Sequence, residues 1–144
     1  MPPLSSRGLS LGLLCALLSC QAPPDLTADL NEYQTAINDA NGAACDCPMD
    51  LGYDSIVECD EAVGTVTNDD VQCLADVLDG NEDAGKDYLD CANSAYRFYV
   101  QCLQSNPNCQ DGWYDDCASD LTAQVAGCPQ LSSDLRPMFM ACVE

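Results

Sequence analysis

A small all-α, disulfide-rich bundle of about five to six short helices, arranged as antiparallel helical hairpins, is the fold this sequence predicts. Three observations lead there. Apolar residues recur at spacings of three and four, as on one face of a helix, and no stretch shows the strict alternation of a convincing strand. The 144 residues include 12 cysteines, more than packing alone requires in a chain of this size. From Cys20 onward, Leu, Val, Ile and Phe supply 22 of 125 residues, below the ~20% at which a highly charged chain is expected to lack a core. Charge compounds the shortage: 24 carboxylates face four cations, a formal net charge of −20, and self-repulsion on that scale opposes compaction. Cross-links worth typically ~2 to 4 kcal/mol each would offset it, so reduction is expected to unfold the chain.

The first helix is expected from Leu26, Leu30, Tyr33 and Ile37, capped by Asp25 or Thr27 and stopped by Asn41-Gly42. A weaker segment over residues 50–63 places Leu51, Ile56, Cys59 and Val63 loosely on one face, with Gly52 counting against it. Thr67 or Asn68 caps the next helix, whose first turn carries Asp69 and Asp70, whose inner face is Val71, Leu74 and Leu78, and whose end is Gly80. The best-defined element covers residues 85–105, where Tyr88, Cys91, Ala95, Phe98 and Cys102 step by three and four until Asn106-Pro107. A helix over residues 115–126 opens on acidic residues and closes at Gly127. A last one, over residues 133–143, tolerates Pro137 in or near its first turn.

The amino terminus has a different purpose. Leu9 to Ser19 is apolar but about half the length a membrane-spanning helix needs. With Arg7 before it and small Ser19 at its end, residues 1–19 have the build of an export signal and are excluded from the fold. Leu17-Leu18-Ser19-Cys20 resembles the lipobox of bacterial lipoproteins, which implies that Cys20 becomes the lipidated first residue of the mature chain. Residues 20–25, with Pro23-Pro24, then form a short tether, and residues 26–144 form one stapled domain. An ordinary signal cut after Ala22 is the alternative, giving a secreted, unanchored disulfide-rich interaction protein.

Either route leaves ten cysteines in the fold: Cys45, Cys47, Cys59, Cys73, Cys91, Cys102, Cys109, Cys117, Cys128 and Cys142. An even set behind an export signal reads as five disulfides in an oxidising compartment. A turn at residues 80–84 would join Cys73 to Cys91. Cys102 and Cys117 flank the turn near Asn108, with Cys109 competing for either partner. Cys47-Pro48 before Cys59, and Cys128-Pro129 before Cys142, look like two copies of one loop-plus-helix staple. Zinc is disfavoured because the chain has no histidine and no paired cysteine clusters.

One stretch suggests a ligand. In DGNEDAGKDYLD, residues 79–90, Asp79, Asn81, Asp83, Asp87 and Asp90 occupy positions 1, 3, 5, 9 and 12, so the stretch resembles an EF-hand calcium loop. Ala84 stands where that loop needs glycine, Lys86 where it is apolar, and Asp90 where it has glutamate. The bland alternative is a solvated acidic turn between helices. A calcium-binding helical hairpin module is therefore a second expectation, and no other cofactor is expected.

Catalysis is not expected. Without histidine the usual serine and cysteine triads are absent, and close carboxylate pairs are inevitable among 24 acids. The aromatic residues Tyr88, Tyr96, Phe98 and Tyr99 read as core and flank, and Trp113-Tyr114 as a lid on that core or an anchor for a partner. Nucleic acid and anionic membrane share the sign of this surface and are excluded as direct partners. Membrane contact would come through the lipid alone, and a cationic or protein partner in the envelope remains open.

The layout as a whole, an export lipobox followed by a short acidic helical domain with cysteines about eleven residues apart, is similar to that of cysteine-rich lipoproteins of the myxobacterial type. The resemblance implies a bacterial envelope location, membrane-anchored and facing the periplasm or the cell surface, and it brings no activity with it.

Overall fold

The computed structural model describes residues 22–143, and among them the only regular elements are helices. They are α1 (Thr27–Cys45), α2 (Ile56–Val63), α3 (Asn68–Leu78), α4 (Glu82–Gln104), α5 (Trp113–Ala126) and α6 (Leu135–Ala141), with a 3₁₀ turn at Pro48–Leu51. Five disulfides join all ten predicted cysteines, so a small disulfide-rich helical bundle is what forms.

The main departure from expectation is in α1, which runs through Asn41-Gly42 to Cys45. Tertiary hydrogen bonds explain the override. Asn38 Nδ2 donates to the Val66 carbonyl at 3.0 Å, Asn38 Oδ1 accepts from the Val66 amide at 2.8 Å, and Asn41 Nδ2 donates to the Gly64 carbonyl at 3.3 Å. These asparagines spend their amides on the 64–66 strap and leave the helix backbone to continue. Asparagine-glycine is a local stop signal only when its side chain serves the local backbone.

Gly52 breaks the weak 50–63 segment as its composition suggests, adopting φ +82° after the 3₁₀ turn. Ser55 then caps α2, its Oγ accepting from the Glu58 amide at 3.2 Å. Thr67 opens α3 with a full capping box: its Oγ1 accepts from the Asp70 amide, and Asp70 Oδ2 accepts from the Thr67 amide at 2.7 Å. Gly80, at φ +77°, makes the turn into α4.

The two long helices, α1 and α4, form the largest interface and lie parallel. Asn93 Nδ2 donates to the Asp29 carbonyl at 3.0 Å, Lys86 Nζ pairs with Asp29 at 3.3 Å, and Arg97 pairs with Glu32. Farther along, Ala40 and Ala44 of α1 share a core with Tyr99 and Leu103 of α4. An α3 antiparallel to α1 permits this arrangement, with Gln34 reaching Val66 and Asn68 at one end while Leu26 and Leu30 meet Leu78 at the other. α5 folds back along α4 as the predicted antiparallel hairpin, and α6 packs on α3.

The apolar interior has two parts. One gathers Leu30, Tyr33, Leu74, Leu78, Tyr88, Leu89 and Phe139, from α1, α3, α4 and α6. The other is built from Ala40, Ala44, Tyr99, Leu103 and Cys117. Gly85 lies against the first part so closely that a Cβ there would come within 2.9 Å of Leu78 Cδ1 and 3.0 Å of Leu26 Cδ1.

Candidate functional site

The disulfide framework is the most constrained chemistry in the molecule. Cys45 bonds Cys59, Cys47 bonds Cys109, Cys73 bonds Cys142, Cys91 bonds Cys128 and Cys102 bonds Cys117. Of the expected pairs, Cys102–Cys117 forms. The α4–α5 hairpin aligns it, and Trp113 closes the same corner by donating from Nε1 to the Cys102 carbonyl at 2.8 Å. Trp113 is thus a half-buried lid on the second core.

The other expected pairs do not form, each for a structural reason. α3 packs on α1 and α6 instead of α4, so Cys73 meets Cys142 at a Cα–Cα distance of 5.8 Å. Cys91 turns toward the end of α5 and meets Cys128 at 5.6 Å. The extra turns of α1 bury Cys45 against the equally buried Cys59 and send Cys47 past the helix end to Cys109. The two proposed staples, Cys47–Cys59 and Cys128–Cys142, therefore dissolve, and with them the hint of internal repetition.

The acidic stretch 79–90 is not a loop. Asp79 caps the end of α3, Asn81 precedes α4, and Asp83, Asp87 and Asp90 all lie within α4. Glu82 and Asp83 sit at the helix N-terminus, where the backbone dipole favours negative charge and an early start. Glu82 is further committed to the turn, its Oε1 accepting from the Gly80 amide at 3.0 Å, which holds its carboxyl below the usual range. Asp90 pairs with Lys86 at 3.1 Å. Successive turns of a helix spread Asp83, Asp87 and Asp90 along the axis of α4, so the segment has the form of a helix start and not of an EF-hand loop. Among the described residues no group of three or more acidic, thiol or imidazole side chains is arranged to hold a metal.

Aromatic residues account for the strongest electrostatic shifts. Tyr33 is fully buried, with ring centroids 5.7 Å from Tyr96 and 5.6 Å from Phe139, while Tyr88 meets Phe139 edge-on at 5.3 Å. Burial first, then the neighbouring Tyr96 and Tyr88 hydroxyls, pushes Tyr33 far above the ordinary tyrosine range. Beside this cluster lies a cavity of about 110 Å³, with Arg136 at its edge. Ligand pockets of drug-sized molecules run from roughly 300 to 1,000 Å³, so this one is a gap in packing beside the aromatic core. Phe98, expected in the core or on its flank, is more than half exposed on α4.

The expected anchor, Cys20, and the signal at residues 1–19 lie outside the described residues. Pro24 and Asp25, at the end of the tether, sit near Leu78, Asp79 and Glu82, beside the α3–α4 turn. Among the described residues no helix is long and apolar enough to cross a membrane. A surface that the sequence reading did not single out lies at the other end of α1: Met49, Ile56 and Val57 are 82%, 50% and 67% exposed. The periodicity over residues 50–63 groups Ile56 loosely on one face with Leu51, Cys59 and Val63, but only Cys59 of that face is buried. The signal available was the density of acids around these residues.

Fold and framework together define a class, the small helical module stapled by disulfides, suited to an oxidising compartment. Beyond that class no protein family, curated protein or solved structure matches this chain.

Proposed function

We propose that this chain is an exported lipoprotein, anchored through Cys20 to a bacterial membrane, that serves as a binding or structural module of the envelope. The observation that carries the anchor is the lipobox-like run Leu17-Leu18-Ser19-Cys20, and the pairing of all ten remaining cysteines supports export to an oxidising compartment whichever way the signal is cut. The acidic surface supports the lipid as the sole membrane contact, because anionic headgroups would repel it. The tether is a few residues long and would hold the α3–α4 turn near the bilayer while α1 and α4 extend the body away from it.

Intact mass of the mature protein tests this directly. The expected species begins at Cys20, carries lipid and lacks ten hydrogens relative to the fully reduced chain. Cys20→Ser is expected to release the protein into the soluble fraction with its five bridges unchanged. A mature chain beginning at Pro23 would overturn the anchor.

A further inference from the structure

We infer that the disulfide-closed segment 45–59, together with α2, is a docking surface for a cationic amphipathic polypeptide. Three of the six large apolar side chains left exposed among the described residues, Met49, Ile56 and Val57, fall within nine positions of this segment. α2 buries Cys59 and half-buries Val63 against α1, and leaves its other residues exposed. Apolar exposure concentrated in one short, covalently closed segment differs from the scattered single residues that any surface carries.

The segment is also held rigid. Cys45–Cys59 closes it, Cys47–Cys109 ties it to the turn after α4, and Asp54 donates from its amide to Glu58 Oε2 at 3.0 Å while Ser55 caps the helix. A surface already fixed loses little entropy when it is covered.

Charge identifies the occupant. Between residues 46 and 61 there are six carboxylates, at Asp46, Asp50, Asp54, Glu58, Asp60 and Glu61, and no lysine or arginine. A second copy of this chain would bring two such sets together. An anionic bilayer is repelled for the same reason, and the surface lies beyond the C-terminal end of α1, whose 19 residues span about 28 Å from the tether end. A polypeptide with one apolar face and lysine or arginine beside it satisfies both features. Methionine suits such a surface because its unbranched, polarisable side chain adapts to what covers it. This deepens the binding-module reading and does not depend on the lipid anchor.

The test titrates the mature, fully oxidised protein with an amphipathic helical peptide of leucine and lysine. A scrambled peptide of the same composition serves as the comparison. The expected result is saturable binding with amide shifts confined to residues 45–64, and at least about tenfold weaker binding of the scrambled peptide. Met49→Ser, Ile56→Ser and Val57→Ser combined are expected to weaken binding by about tenfold or more. These side chains are exposed, so the variant should keep its helicity and five bridges, which circular dichroism and intact mass verify. Asp115→Asn with Asp116→Asn, at the start of α5, should change affinity by less than about twofold. Equal binding of both peptides, or undiminished binding by the triple serine variant, would overturn the proposal and leave the anchor untouched. An N-terminus at Pro23 would remove the anchor and leave this surface standing.

Discussion

The two halves of the interior solve the same problem with different materials. Around Tyr33 and Phe139, bulky side chains from four helices meet, and the long-range bridges Cys73–Cys142 and Cys91–Cys128 each place one buried cysteine, Cys142 and Cys128, among them. Around Ala40 and Ala44 the side chains that α1 contributes are small, and three bridges, Cys45–Cys59, Cys47–Cys109 and Cys102–Cys117, lie at or near that end. Where apolar volume is scarce, covalent links take over. A chain with few large apolar residues and 24 carboxylates can fold by concentrating its hydrophobic area at one end and its cross-links at the other.

Reducing all five disulfides is the harshest way to break this comparison. Their summed restriction of the unfolded chain is on the order of 10 kcal/mol or more, comparable with the whole stability of a small domain. Loss of most helicity on reduction at neutral pH is expected by circular dichroism, and retention of native helicity would show that the cores suffice. Under partial reduction, amide exchange should open around Ala40, Tyr99 and Leu103 before it opens around Leu30 and Leu89. The reverse order would mean that the bridges, not the side chains, hold the aromatic end.

Phe139→Ala probes the aromatic end with its bridges intact. Phe139 is 1% exposed and touches both Tyr33 and Tyr88, so truncation should cost about 3 to 5 kcal/mol. Leu103→Ala, in the alanine-rich end, leaves a smaller hole against a cross-linked wall and should cost nearer 2 kcal/mol. Chemical denaturation of the two oxidised variants measures the difference, and equal losses would erase the distinction between the halves.

Alkaline titration sharpens the same contrast. Tyr33, Tyr88 and Tyr96 are all raised by burial, and Arg136, facing Tyr88, offsets only part of the shift there. A group whose folded pKa lies above its unfolded value contributes stability that is complete below the unfolded value, near 10 for tyrosine, and is lost as pH rises through the folded one. Stability should therefore hold steady up to about pH 10. Above it, each fully buried hydroxyl should remove about 1.4 kcal/mol per pH unit. Tyr33→Phe should flatten the limb by about one proton's worth, and an unchanged slope would show that Tyr33 ionises freely.

Much of the fold was legible because its signals are local. Thr67 with Asp70, the spacing of Tyr88, Cys91 and Ala95, and Gly127 each act within a turn of where they stand. What could not be read was set by distant partners. The continuation of α1 past Gly42 depends on Asn38 and Asn41 bonding residues more than twenty positions away. That continuation in turn decides which cysteine Cys59 meets. The parallel course of α1 and α4 is likewise invisible to periodicity, and it redirects Cys73 and Cys91. Of the candidate sites, the ten cysteines were legible as a set but, Cys102–Cys117 apart, not as pairs. The helical form of most of the acidic stretch 79–90 was not legible because oxygen spacing along a sequence does not distinguish a loop from a helix, and the exposure of Ile56 was not legible because a loose periodic match does not guarantee an inward face.

The smallest effect tests a purely local signal. Thr67 Oγ1 accepts from the Asp70 amide, and Thr67 donates its own amide and hydroxyl to Asp70 Oδ2 at 2.7 and 2.8 Å. Thr67→Ala removes the cap and should cost about 1 kcal/mol. Asp70 is held below its ordinary value by those bonds, the backbone one first. A carboxylate depressed in the fold contributes stability present above its unfolded pKa and lost as pH falls through the folded one. The penalty of Thr67→Ala should consequently begin to shrink as pH drops below about 4 and level off once pH has passed the depressed Asp70 value, where the carboxyl is protonated in both proteins. Because α3 carries Cys73, whose bridge reaches α6, the lost cap should fray the first turn of α3 without separating the helices. Amide exchange at Asp69 to Gln72 would register that fraying. Global opening of α3 at the same rate would instead show that the cap, and not the Cys73–Cys142 bridge, is what keeps α3 in place.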